Sequence, residues 1–147
     1  MIALGADHGG YRLKEAIKKY LDSQKIEYKD FGTDSEASVD YPPIAAKVAH
    51  FVADGHAEKG VLCCGTGIGM SIAANKVKGI RAAVCADAYC AEITRHHNNA
   101  NILCMGGRVI HEDQAVEFTR LFLGTSFDGG RHQRRIDEIS AIERGEL

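Results

Sequence analysis

The chain has 147 residues, enough for one domain with a sizeable core. Hydrophobic residues make up 45%, charged residues 26%, and the formal net charge is −2, which excludes a general electrostatic case for nucleic acid or an acidic membrane surface. No apolar run reaches membrane-spanning length, the first residues lack a basic segment followed by an apolar one, and the five cysteines are odd in number without a CxxC pair, so reduced thiols and a cytoplasmic location are expected.

Residues 2–6 read as a first short strand, ending in Asp7-His8-Gly9-Gly10. The helix that follows carries Leu13, Ile17, Tyr20 and Leu21 at helical spacing. Residues 26–31 alternate and read as a second strand, and residues 32–41 as a polar loop. Pro42 and Pro43 open the next helix, whose buried stripe is Ile44, Ala45, Val48, Ala49 and Val52. Gly55 and Gly60 bracket the turn into a third strand over 61–64. A fourth strand is expected over 80–86, a helix to about Arg95, and a fifth strand over 101–105 that ends in Gly106-Gly107-Arg108. Helices over 112–123 and 131–144 complete the chain. Strands alternating with helices predict an α/β Rossmann-like three-layer sandwich, with a five-stranded parallel sheet covered on both faces and a C-terminal helix. No repeat, linker or low-complexity segment divides it, so residues 1–147 are expected to form a single domain.

Residues 61–76 concentrate the chemistry. An apolar run ends at Cys64, Gly65, Gly67 and Gly69 follow at every second position, and Ile68, Ile72 and Ala73 begin a helical period. The spacing is neither a phosphate-binding P-loop nor the dinucleotide fingerprint. A thiol at a strand end, facing the N–H groups of a new helix, is expected to have a lowered pKa. Ligands of parallel sheets bind beyond the carboxyl ends of the strands. Asp7-His8, Cys64 with its turn, Asp87 and Gly106-Gly107-Arg108 are therefore expected to share one rim. Arg131 and Arg135 are four apart on one helix face and suit a phosphate. The last helix carries a thin apolar stripe, Ile136, Ile139 and Ile142, suited to this chain or to a second one. The run from Arg95 through His96, His97, Asn98 and Asn99 to Asn101 is expected on a loop, offering an imidazole for acid/base work near neutral pH. No cysteine and histidine spacing matches a metal template, so no metal is expected.

Taken together, Asp7-His8-Gly9-Gly10, Asp40-Tyr41-Pro42, the turn from Cys64 to Lys76, Gly79-Ile80-Arg81-Ala82, His97-Asn98, Gly106-Gly107-Arg108-Val109 and the run from Gly129 to Arg135 resemble, in order and over nearly the whole chain, the motifs of type B ribose-5-phosphate isomerases. The resemblance implies an aldose–ketose isomerase of the pentose phosphate pathway, interconverting ribose 5-phosphate and ribulose 5-phosphate through an enediolate, without metal or organic cofactor. It implies Cys64 as the base, because Gly69-Met70 offers no acid where some members carry a glutamate. His97 would open the sugar ring, Asp7 would handle hydroxyl protons, and Thr66 would stand beside the thiolate. Gly65, Thr66, Gly67, Ile68 and Gly69 would give N–H groups to the enediolate oxygen, with Asn98 helping. His8, Arg108, Arg131 and Arg135 would bind phosphate, and Tyr41 would line the site. The resemblance also implies a homodimer or tetramer with sites between subunits. Allose-6-phosphate isomerases, subunits of galactose-6-phosphate isomerase, and a non-catalytic phosphosugar- or nucleotide-binding module are the alternatives.

Overall fold

The computed structural model describes residues 1–147. In chain order the elements are β1 (Ile2–Ala6), α1 (Tyr11–Ser23), β2 (Tyr28–Asp30), α2 (Tyr41–Ala53), β3 (Lys59–Cys64), α3 (Ile68–Ala74), β4 (Ala82–Val84), α4 (Ala88–Asn98), β5 (Ile102–Gly106), α5 (Glu112–Gly124) and α6 (Arg131–Glu143). The five strands form one parallel sheet in the order β2-β1-β3-β5-β4. The central strands β1, β3 and β5 are buried almost end to end, which explains their unbroken apolar or small sequences. The margins β2 and β4 pair over only three residues, shorter than the strands expected over 26–31 and 80–86. Gly60 lies inside β3 and not in the turn before it; a Cβ there would stand 3.0 Å from a methyl of Val48, so its lack of a side chain lets α2 close on the sheet.

Strand alternation sends Ile2, Leu4, Val61, Cys63, Leu103 and Met105 to one face, where Leu13 and Ile17 of α1 and Phe118 and Phe122 of α5 cover them. It sends Ala3, Leu62, Cys64, Ile102 and Cys104 to the other, under Ile44 and Val48 of α2 and Met70 and Ala74 of α3. The two neighbouring cysteines of β3 thus part company, and burial pushes the Cys63 thiol well above its ordinary value. Ile68 and Ile72 begin the helical period of α3 on its outer side: both are more than half exposed, while Met70, Ser71 and Ala74 face inward. The positive φ of +83° at Gly67 sets this direction of entry. In α6 only the first residue of the isoleucine stripe is used by this chain: Ile136 is buried, while Ile139 and Ile142 are exposed. The Glu143 carboxylate accepts the Gly79 N–H at 3.0 Å and ties down the other end of α6. No helix is long and apolar enough to cross a membrane.

Helical spacing alone would leave Lys14 in solvent, yet it is 1% exposed. Its Nζ donates to Asp30 Oδ2 at 2.6 Å, and Lys18 Nζ reaches the same oxygen at 2.9 Å. Asp30 Oδ1 accepts the Gly32 N–H at 2.8 Å. Burial pushes the Asp30 carboxyl up, but the hydrogen bonds from Lys14, the Gly32 N–H and Lys18 prevail and hold it below its ordinary 3.8. Lys14→Ala leaves this carboxylate short of its closest partner, at an expected cost of about 3 kcal/mol. The melting temperature should fall by roughly 10 °C. Because the folded carboxyl titrates below the unfolded one, the contribution is complete above the unfolded pKa and lost as pH falls through the folded one. Unfolding free energies measured down through that range should therefore decline less steeply in Asp30→Asn than in the parent chain.

Candidate active site

Three loops meet at the carboxyl ends of β1, β3 and β5, and glycines let them touch backbone to backbone. A Cβ on Gly10 would lie 2.3 Å from the Cys63 carbonyl carbon, one on Gly106 would lie 2.6 Å from that of Thr66, and one on Gly107 would lie 2.1 Å from the Gly9 oxygen. Hydrogen bonds lace the same loops together: Gly107 N–H donates to the Cys64 carbonyl at 2.8 Å and Arg108 N–H to that of Gly65 at 2.9 Å. The expected rim is therefore assembled for Asp7, His8, Cys64 and Arg108. Asp87, after β4, is occupied as the N-cap of α4, its carboxylate accepting the Cys90 N–H at 2.7 Å.

On this platform Cys64, 5% exposed, accepts the Gly67 N–H on its sulfur at 3.1 Å. Thr66 is exposed, and its Oγ1 accepts the Ile68 N–H at 3.2 Å. Two of the five amides expected to serve a ligand oxygen thus already hold groups of the protein, leaving those of Gly65, Thr66 and Gly69 as candidates. Asp7 Oδ1 accepts from the N–H groups of Gly9 at 2.9 Å and Gly10 at 3.3 Å, which fixes the carboxylate beside the loops. His8 Nδ1 accepts the Val39 N–H at 3.2 Å, so the proton of the neutral ring sits on Nε2. The Arg108 guanidinium lies over Gly65, whose Cβ would stand 2.8 Å from its nitrogen. The Tyr41 ring lies over Gly69, where a Cβ would meet it at 2.7 Å. A glutamate at 69 would strike Tyr41, and Met70 is wholly buried.

The second group lies elsewhere. α4 runs past Arg95 to Asn98, so His96 and His97 stand on its last turn and not on a loop; Arg81 Nε and Nη2 bind the carbonyls of Asn98 and Asn99 and hold that end. The chain there returns toward the start of β5, and the Asn101 carbonyl accepts the Gly60 N–H at the beginning of β3. Cys64 closes the same strand, so His97 and Asn98 are a strand's length from it, on the order of 15 Å. The start of α6 joins them: the rings of His97 and His132 stack with centroids 4.1 Å apart and planes at 14°. Burial, His97 and the guanidiniums of Arg131 and Arg135 hold His132 below its ordinary value. His96 Nδ1 lies 2.7 Å from Asp128 Oδ1, which raises the His96 imidazole. Asn98 Oδ1 accepts the Thr94 hydroxyl at 3.1 Å and faces the groove between α4 and α6. Arg134 approaches Glu138 at 3.9 Å, whereas Arg131 and Arg135 carry no ion pair. One chain thus brings Asp7, His8, Tyr41, Cys64, Thr66 and Arg108 together at one pole, and His97, Asn98, Arg131 and Arg135 together at the other. Nothing in the sequence points to Asp128, since no motif or spacing ties residue 128 to His97.

The family model described as Ribose/Galactose Isomerase matches residues 2–139. The chain belongs to this family. It is 46% identical over 143 residues to ribose-5-phosphate isomerase B of Escherichia coli (strain K12), covering 97% of this chain and 96% of that one. Its fold is similar to a solved structure of Clostridium thermocellum ribose-5-phosphate isomerase B, at a TM-score of 0.96, 48% identity and 99% coverage of both chains. It is similar as well to Mycoplasma genitalium ribose-5-phosphate isomerase B with bound ribulose-5-phosphate, at a TM-score of 0.93, 39% identity, and coverage of 97% and 95%. Within this family of isomerases, the polar split between the Cys64 group and the His97 group is the feature a functional reading has to satisfy.

Proposed function

We propose that this chain is a ribose-5-phosphate isomerase that interconverts ribose 5-phosphate and ribulose 5-phosphate, acting as a single domain over residues 1–147 in the cytoplasm. The observation that carries the reading is the Cys64 sulfur, held by a backbone N–H at the rim of a sheet shared with solved isomerases of this type. The thiolate takes the proton from C2 of the open-chain aldose, and negative charge develops on O1. Amides of Gly65, Thr66 and Gly69 face that oxygen, with one well-placed donor worth roughly 3–4 kcal/mol. The proton returns to C1, while Asp7, assisted by Thr66, passes the O2 proton to O1; no atom is gained or lost. His8 and Arg108 on the same rim, and Tyr41 over Gly69, bound the site.

A homodimer completes the machinery. The Cys64 group of one subunit faces the partner subunit's His97, which protonates the ring oxygen, its Asn98, which supports the enediolate oxygen, and its Arg131 and Arg135, which hold the phosphate. The polar split and the exposed Ile68, Ile72, Ile139 and Ile142 support this assembly. The double variant Arg131→Ala/Arg135→Ala should raise KM by roughly 100-fold with kcat little changed, because a remote handle is lost from ground and transition states alike. An unchanged KM would return those arginines to solvated surface. The reading itself is tested by turnover of ribose, allose and galactose phosphates on the purified protein, ribose 5-phosphate being fastest. Substrate must also take up deuterium at C1 of the product from heavy water; binding without exchange would describe a phosphosugar-binding module instead.

A further inference from the structure

The stacked imidazoles of His97 and His132 have a third neighbour. The donor nitrogens of both rings and a carboxylate oxygen of Asp128 all lie within 4.8 Å of one another. Two imidazoles and one carboxylate are the set that holds zinc while leaving one coordination position open. The carboxylate is also held in place from behind. His96 Nδ1 lies 2.7 Å from Asp128 Oδ1, and the Asp128 N–H donates to the His96 carbonyl at 3.1 Å. Carboxylates that ligate metals are themselves hydrogen-bonded by outer groups, and His96 gives Asp128 such a partner. His97 and His132 come from the end of α4 and the start of α6, two elements whose meeting the same 128–132 turn enforces. Bringing both N–metal distances to about 2.0–2.1 Å requires one ring to turn out of the stack, because the in-plane lone pairs of parallel rings do not meet at one ion; His97 and His132 are half-buried and Asp128 is exposed. The guanidiniums of Arg131 and Arg135 nearby oppose a cation and keep such a site modest in affinity.

We propose that His97, Asp128 and His132 form a regulatory site for a first-row divalent metal such as zinc, and that the occupied site is inhibitory. The metal takes the ring nitrogen of His97 that otherwise delivers a proton to the sugar's ring oxygen. The inhibitory half rests on the function proposed above; the binding half does not. Chelator-stripped protein titrated with zinc in a calorimeter should take up one ion per chain, and cobalt(II) should give a visible d–d spectrum without a thiolate charge-transfer band. Asp128→Asn keeps an oxygen for His96 but loses the anionic ligand. It should weaken zinc binding by at least tenfold, raise the inhibitory zinc concentration by the same factor and leave metal-free turnover unchanged. Cys64→Ala, inactive, should bind zinc as the parent does. Equal zinc affinity in parent and Asp128→Asn, loss of binding in Cys64→Ala, or no binding at millimolar zinc would each overturn the site. Full turnover of zinc-saturated enzyme would instead remove the inhibitory role, and with it the assignment of His97 as ring-opening acid, while the metal site stood.

Discussion

Cys64→Ala is expected to lower kcat by roughly 1,000-fold or more while ribose 5-phosphate still binds within a few-fold of the parent affinity. The sulfur sits at the end of a central strand with a backbone N–H directed at it, from Gly67 at 3.1 Å. Alanine removes the base and leaves the rest of the platform intact, because the loops are held by backbone contacts and not by that side chain. Binding energy from the phosphate end is therefore retained, and only the proton transfer is lost. Isothermal titration with substrate and a steady-state assay on the same sample separate the two. Parent-like turnover in Cys64→Ala would transfer the role of base to another group. Cys63→Ala is the control: that thiol lies on the opposite face of the strand, so it should cost stability and not chemistry.

Mixing two dead variants should restore activity. His97→Ala alone is expected to be nearly inactive on the cyclic sugar, as is Cys64→Ala. Within one chain these residues lie at opposite poles of the sheet, so in the homodimer proposed above a working site draws each from a different subunit. When the two variants are unfolded together and refolded in equal amounts, half of the dimers are hybrids, and each hybrid holds one intact site and one doubly disabled site. The mixture should therefore regain about a quarter of the parent activity. Placing both substitutions in one chain and mixing it with the parent gives hybrids with two singly disabled sites, so activity should fall below simple dilution. Failure of the first mixture to recover anything, with hybrids demonstrated by mass, would mean that each site is completed within its own chain.

The order of strands and helices is legible in the sequence because short strand-like segments alternate with helical periods, and because Pro42 and Pro43 mark a helix start unambiguously. The separation of Cys63 from Cys64 follows from strand alternation alone. Where reading fails, the cause is tertiary. Hydrophobic period locates the stripe of α3 but not which way it faces; the entry set by Gly67 turns Ile68 and Ile72 outward, toward the face that a second subunit would cover. The asparagines at 98 and 99 suggest a loop, yet Arg81 and Arg95 bind the carbonyls and side chain at this helix end and extend α4 through His97. Lys14 reads as solvated until the chain returns with Asp30. The rim itself is foreseeable, since parallel strands of one sheet end at one edge; the pole that carries His97, Asp128 and His132 is not, because no local spacing encodes the meeting of α4 with α6.

Gly10, Gly106 and Gly107 leave no space for even one methyl group between the three loops. A descendant of this sequence therefore has almost no freedom to reshape the floor of the site by ordinary point substitution. New sugar preferences have to be acquired on the walls, at Tyr41, Thr66 and Ile68, whose side chains stand exposed above that floor. Sterics fix the floor of the site and leave its walls free to vary.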